Sequence, residues 1–253
     1  MDNTIIAVVG KGGVGKTSIS ARVVKTIVDK KRGARILAID ADPAVGLATA
    51  LGIDVKYTLD DIRKEIVKSG EGDKTKKKAI ELLAESKFKM VETLIECDGF
   101  TFMAIGRPET AGCYCSINNV LRDVLTVISE QFDYVIIDGE AGIEQINRRV
   151  MKDISHLIFV TDQSQKGMNV VKTIKSVADN LSSYEKSGII VNRLHSQEML
   201  SYLDSGDIEI LSVVKEDVQL LENDAKGISV FEIADDSPLA IGVNTALTKL
   251  EII

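Results

Sequence analysis

Apolar, mostly β-branched runs recur along the chain at Ile5–Val9, Arg35–Asp40, Thr101–Ile105, Tyr134–Asp138, Leu157–Thr161, Gly188–Val191 and Glu209–Val214. Most are near-continuous rather than alternating, the pattern of parallel strands covered on both faces. Between them the apolar positions take a helical period. Ile117, Val120, Leu121, Val124, Leu125 and Ile128 form one buried stripe, in a helix that begins directly after Cys115. Ile19, Val23, Val24 and Ile27 form another, in a helix from Lys16 to about Lys30. Strand and helix in alternation predict an α/β fold with a mostly parallel central sheet and helices on both faces.

The stretch Asp60–Asp98 breaks this rhythm. It is rich in Lys and Glu, with Lys74, Lys76, Lys77 and Lys78 clustered, and reads as a charged insertion of solvated surface helices. No repeat, low-complexity tract or linker divides the chain, and its 253 residues fit one domain, 1–253. The net charge of −7 gives no support to a nucleic-acid-binding surface. Met1-Asp2-Asn3 leads straight into a short strand, unlike a signal peptide, and no apolar run is long enough to span a bilayer. The expectation is a cytoplasmic protein acting on neither nucleic acid nor membrane.

The first strand runs into Gly10-Lys11-Gly12-Gly13-Val14-Gly15-Lys16-Thr17, followed by Ser18 and a helix. Strand, glycine-rich loop and helix are the context of a phosphate-binding P-loop, and the spacing fits G-x-x-x-x-G-K-[ST]. The glycines let backbone N–H groups curl around phosphate oxygens, and the helix N-terminus adds partial positive charge. Lys16 is expected at the β- and γ-phosphates of ATP, and Thr17 on Mg2+. Asp138 ends an apolar strand, where a Walker-B aspartate sits near the magnesium. Asp40 and Asp42 follow another apolar strand, and parallel strands gather their C-terminal ends on one ligand-binding edge. Either of these two could instead serve only as a helix cap.

The whole octapeptide, with a second lysine at Lys11, resembles the deviant Walker A ATPases: MinD, ParA, nitrogenase iron protein and ArsA. The likeness extends over essentially the full chain and implies a P-loop NTPase fold that binds and hydrolyses ATP in a homodimer. By that resemblance Lys11 reaches the partner chain's phosphates, Asp42 positions the attacking water, and Asp40 helps hold the magnesium shell. Asp138-Gly139-Glu140-Ala141-Gly142 then forms the second switch. Asn192 and Arg193 fall at the adenine-reading motif. Asp217 lies near a second base-contacting motif that usually carries a proline where this chain has Lys215.

Three cysteines occur: Cys97, Cys113 and Cys115. An odd count in a cytosolic chain argues against a disulfide framework. Gly112-Cys113-Tyr114-Cys115 supplies two thiols one residue apart, half of a tetrahedral shell that a two-fold dimer could complete. Thiolates suit Ni2+ in a sulfur-rich site, Zn2+ or cuprous copper. Two ordinary turn cysteines, or a redox pair, fit the same spacing. Cys97 reads as buried or incidental, and neither His156 nor His195 shows a metal spacing.

Gly106-Arg107-Pro108-Glu109, the cysteine pair, Asn118-Asn119-Val120-Leu121-Arg122, and Asp138–Glu144 with Arg148-Arg149 are similar to CooC-type ATPases. These are maturation factors for nickel-containing carbon monoxide dehydrogenase, with a close relative group serving acetyl-CoA synthase. The resemblance implies a metallochaperone whose Cys-x-Cys pair binds metal at the dimer interface, coupled to nucleotide. Two other branch members stand against it. An iron-protein-like electron donor needs a cysteine near the second switch, and Asp138–Arg149 holds none. MinD-like membrane attachment needs a basic C-terminal helix, whereas Pro238–Ile253 carries only Lys249.

Overall fold

The computed structural model describes residues 3–70, 90–106, 115–139, 154–181 and 184–253, with side chains for all of these except 66–70 and 115–120. Among the described residues, eight strands form one sheet in the order β3-β4-β2-β5-β1-β6-β7-β8. They are β1 (Thr4–Gly10), β2 (Ile36–Asp40), β3 (Ile95–Glu96), β4 (Thr101–Ala104), β5 (Tyr134–Asp138), β6 (His156–Thr161), β7 (Lys186–Leu194) and β8 (Ile210–Lys215). All pairings are parallel except β3 with β4. The two-residue β3 has no counterpart among the sequence-predicted strands, being too short to show a period.

Residues alternate across the sheet with the strand period of two. From β1, Ile5, Ala7 and Val9 enter one core layer, and Ile6 and Val8 the other. Both sides are apolar because both are covered. Helices α3 (Leu59–Gly70), α4 (Cys115–Ser129) and α5 (Gln165–Leu181) close the first layer. On the other side lie α1 (Lys16–Lys30), α2 (Gly46–Leu51) and α7 (Pro238–Lys249), with α6 (Val218–Lys226) at the margin.

The charged stretch departs from the solvated picture. Ile62 and Met90 are core residues, and Asp60 and Arg63 form a 2.7 Å ion pair with both side chains almost wholly buried. The Asp60 amide also donates to the Ile105 carbonyl at the end of β4. Helix α3 is thus fastened to the sheet edge that carries the site. Residues 71–89, which include the lysine cluster, lie outside the described residues.

Chain direction explains why the site forms where it does. From β1 the chain crosses to β2 on one side of the sheet. β6, the next strand after β5, pairs with β1 on its opposite edge. The order reverses around β1, and a crevice opens there beyond the strand C-termini. The loop after β1 occupies that crevice.

Candidate nucleotide site

β1 ends at Gly10, packed against β6. A Cβ at this position would stand 2.0 Å from the Val160 carbonyl oxygen, so only glycine lets the loop leave the sheet here. The loop closes at Gly15, whose φ of 91° N-caps α1. A side chain there would also collide with Asn192 Nδ2, at 2.5 Å. The Lys16 ammonium bends back and donates to the Lys11 carbonyl at 3.1 Å. A curled backbone at a helix N-terminus, with a lysine folded over it, makes a concavity suited to an anion.

Two carboxylates lie buried beneath this loop. Asp40 and Asp138 are register partners at the ends of adjacent strands β2 and β5. Asp40 Oδ1 accepts from the Asp42 amide at 3.1 Å, and Oδ2 from the amides of Leu47 and Ala48 at 2.8 and 3.2 Å. It therefore caps α2 and pins both ends of the loop carrying Asp42, so the capping role weighed from sequence is present. Within that loop Asp42 Oδ1 accepts from the Ala44 amide. Val45 takes the left-handed conformation, φ 53°, which a β-branched residue rarely adopts. The loop returns to the site, since a Cβ on Gly46 would lie 3.6 Å from the Thr17 methyl.

Asp138 Oδ1 accepts from the Ser20 hydroxyl at 2.7 Å. Its Oδ2 is buried with no well-formed hydrogen bond among the described residues. Burial pushes the Asp138 carboxyl up to about 6, and the Asp42 charge adds to the rise. The Ser20 and Thr17 hydroxyls and the Lys16 charge oppose it. Burial likewise pushes Asp40 up to about 7, with repulsion by Asp138 adding to it and the backbone amides opposing. An orphaned carboxylate oxygen and two mutually repelling buried acids, beside a threonine hydroxyl, are a donor set that fits a hard divalent cation such as Mg2+.

The far wall comes from β7. Asn192 Nδ2 donates to the Val14 carbonyl at 2.8 Å, and an Arg193 guanidinium nitrogen to the Gly13 carbonyl at 2.9 Å. With Gly15, Ser18, Glu216 and Asp217 they border a narrow cleft of about 40 Å3. Both oxygens of the buried Asp217 are engaged by backbone. Oδ1 accepts from the Leu220 amide and Oδ2 from the Leu239 amide, each at 3.1 Å. Asp217 thus caps α6 and also ties the start of α7 to it.

Lys11 stands apart from the phosphate loop's interior. Its ammonium lies 2.6 Å from Asp162 Oδ2, just beyond β6 in the same chain. Burial raises the Asp162 carboxyl, but bonds from Lys11 and Ser164 outweigh it and hold the group below the usual carboxylate range. Asp162 and Ser20 were not singled out from sequence. Asp162 follows the apolar strand ending at Thr161, so the strand-end argument that found Asp40 and Asp138 also reaches it. Ser20 sits one helical turn after Lys16, with nothing local to mark it.

Cys113 lies outside the described residues, as do Arg107–Tyr114 and residues 140–153, which carry most of the second switch. Cys115 is the first residue of α4. Cys97 is half-buried beside β3, its thiol 3.6 Å from the Ile95 carbonyl, and burial raises its pKa.

A glycine loop between β1 and α1, buried acids at neighbouring strand ends and a sheet that reverses order around β1 define a P-loop ATPase. The sequence profile described as an AAA domain matches residues 3–187, and the chain belongs to that family. An ATP-binding protein of Methanocaldococcus jannaschii is 32% identical over 250 residues, covering 97% of this chain and 98% of its own. The carbon monoxide dehydrogenase accessory protein CooC of Rhodospirillum rubrum is 25% identical over 244 residues, 90% of each chain. Among solved structures, the septum site-determining protein MinD of Pyrococcus horikoshii complexed with Mg-ADP superimposes with a TM-score of 0.67. It is 20% identical, covering 99% of this chain and 96% of that one. The protein is an ATPase with the MinD/ParA fold.

Proposed function

We propose that this ATPase is a metallochaperone that couples ATP hydrolysis to insertion of nickel into carbon monoxide dehydrogenase or the related acetyl-CoA synthase, its Cys-x-Cys pair binding Ni2+ or Zn2+ at a homodimer interface. The observation that carries the proposal is Cys113-Tyr114-Cys115, in a chain that matches the accessory protein CooC over nine-tenths of both lengths. Support comes from position: α4 starts at Cys115, and β4 before it ends on the sheet edge that holds the P-loop. Two thiolates from each of two chains complete a four-sulfur shell.

In this reading Lys16 and the loop amides hold the β- and γ-phosphates, and Thr17, Asp138 and the Asp40 shell hold Mg2+. The cation supplies charge neutralisation for the transferred phosphoryl group. Asp42 orients the attacking water, and Lys11 leaves Asp162 to reach the partner's phosphates. The γ-phosphate favours the closed dimer, and its loss reopens the metal site.

The test is metal titration of the purified protein with and without ATP, read by oligomeric state. Cys113→Ala with Cys115→Ala should abolish metal binding and metal-induced dimerisation while ATP affinity persists. Unchanged metal stoichiometry in the double variant sinks the proposal. Lys16→Ala should lose ATP, whereas Lys11→Ala should keep ATP but lose ATP-driven dimerisation and hydrolysis.

A MinD/ParA-like positioning ATPase is the second reading, favoured by the fold. Against its membrane-bound form, α7 buries Leu239, Val243, Ala246 and Leu247 in the core, so this helix is not free to lie on lipid. Co-sedimentation with anionic liposomes, or with DNA, in the presence of ATP tests the alternative.

A further inference from the structure

We infer that Arg193, together with Asn192, is a positioning residue that presets the phosphate concavity of the P-loop. This assigns it a different task from reading the nucleotide base. The inference rests on the nucleotide-site reading above.

The pairing of β7 with β8 slips by one residue here. Val191 faces Val213 and Leu194 faces Lys215, so Asn192 and Arg193 together stand opposite Val214. That is a β-bulge, a device that re-aims side chains and recurs beside active sites. Arg193 also has a φ of 57°, a left-handed conformation that costs an ordinary side chain free energy and persists where the surroundings enforce it. The bulge and the left-handed residue turn two consecutive side chains onto two consecutive P-loop carbonyls, those of Val14 and Gly13.

Those carbonyls belong to the peptide units that carry the amides of Val14 and Gly15. A trans peptide is planar, with its C=O and N–H pointing in opposite directions, and no peptide bond among the described residues is cis. Drawing the Gly13 and Val14 oxygens toward β7 therefore turns the Val14 and Gly15 N–H groups away from β7. Amides so aligned make an anion nest. Gly13 has a φ of 77°, and no atom lies within 4 Å of where a Cβ would go, so no side-chain packing holds it from that direction. A loop this free would otherwise spend binding energy on ordering itself around the ligand.

The experiment compares Mg-ATP with inorganic tripolyphosphate, a probe that has no base, by calorimetry on wild type, Arg193→Ala, Arg193→Gly and Arg193→Lys. Arg193→Ala and Arg193→Gly should both weaken the two ligands equally, by roughly ten-fold, the scale of one charge-assisted hydrogen bond. Arg193→Lys should recover part of the loss. Thermal unfolding of the ligand-free variants should stay near wild type. The loss should also persist between about 0.05 and about 0.5 M salt, where a direct charge contact to phosphate would be screened away.

Weakened ATP with unchanged tripolyphosphate would overturn the inference in favour of base reading. A loss that disappears at high salt would overturn it in favour of direct attraction, and no loss in either ligand would show that the Gly13 bond does not position the loop. If the wild type binds neither probe, or if Lys16→Ala binds both as well as wild type does, the nucleotide-site reading itself fails. That outcome is distinct from every failure of the Arg193 role.

Discussion

The ammonium of Lys11 is held 2.6 Å from the carboxylate of Asp162 in its own chain, with each side chain a little over a quarter exposed. A lysine in that pose cannot at the same time reach a neighbouring chain. The ion pair therefore competes with any contact Lys11 makes across a dimer. Pairs this exposed contribute about 0.2–1 kcal/mol. Each dimer breaks two such pairs, so Asp162→Asn should shift ATP-dependent dimerisation to lower protein concentration by about two- to thirty-fold, as measured by sedimentation velocity. Weaker dimerisation in the variant would mean that Asp162 assists the assembled state rather than holding back the free one.

The two buried acids predict a proton balance. Asp40 and Asp138 hold their protons to about 7 and about 6 in the folded chain, above the ordinary carboxylate value. The folded state therefore binds more protons than the unfolded state between about pH 4 and pH 7, so these groups cost stability as pH rises through that window. The wild-type decline in stability from pH 5 to pH 8 should be steeper than that of Asp138→Asn. A cation bound beside them reverses the balance by favouring the ionised forms. Binding of Mg-ADP at pH 6 should release protons, and at pH 8 almost none. Calorimetry in buffers of different ionisation enthalpy measures the release directly, and equal proton release at both pH values would remove these carboxylates from the cation site.

Gly15 is fixed by two separate constraints, its φ of 91° and the Asn192 amide 2.5 Å from where a Cβ would go. Gly15→Ala should abolish nucleotide binding and lower stability, the backbone component alone being about 1–2 kcal/mol. Adding Asn192→Ala removes the collision but not the φ strain. The double variant should thus recover only part of the stability lost, as measured by urea unfolding. Full recovery would show that the left-handed conformation costs nothing at this position.

How much of this was legible depended on distance along the chain. The phosphate loop is eight consecutive residues, and its meaning is local. Asp40 and Asp138 were legible because an apolar strand ending in aspartate marks itself. Lys11 and Asp162 are 151 residues apart and become neighbours only because β6 pairs with β1. No local pattern encodes that pairing, and the same holds for Ser20 and Asp138, 118 residues apart. Ile62 and Met90 fall in a segment that reads as solvated because lysine and glutamate surround them. Their burial against the first core layer comes from tertiary packing. The bonds that Asn192 and Arg193 make to the loop carbonyls are hidden from the sequence in another way. The place of these two residues in the motif suggested the base, whereas the bulge that turns them onto the loop is a property of the strand pair.

Asp217 separates two roles that sequence alone merges. Its position suggested contact with the nucleotide base, yet Oδ1 is engaged by Leu220 and Oδ2 by Leu239, 22 residues further on. Losing an N-cap costs about 0.5–2 kcal/mol. Here one carboxylate serves two helix starts, and its removal leaves two amides to find new partners. Asp217→Ala should therefore destabilise the protein by roughly 1–4 kcal/mol. Asp217→Asn keeps one acceptor oxygen and should fall between the wild type and the alanine variant. If capping is the whole role, preference for ATP over GTP should be unchanged in Asp217→Asn at a temperature where the variant is fully folded. A collapse of that preference with stability intact would return the side chain to the base, contacted through the acceptor capacity that each carboxylate oxygen keeps beside its cap.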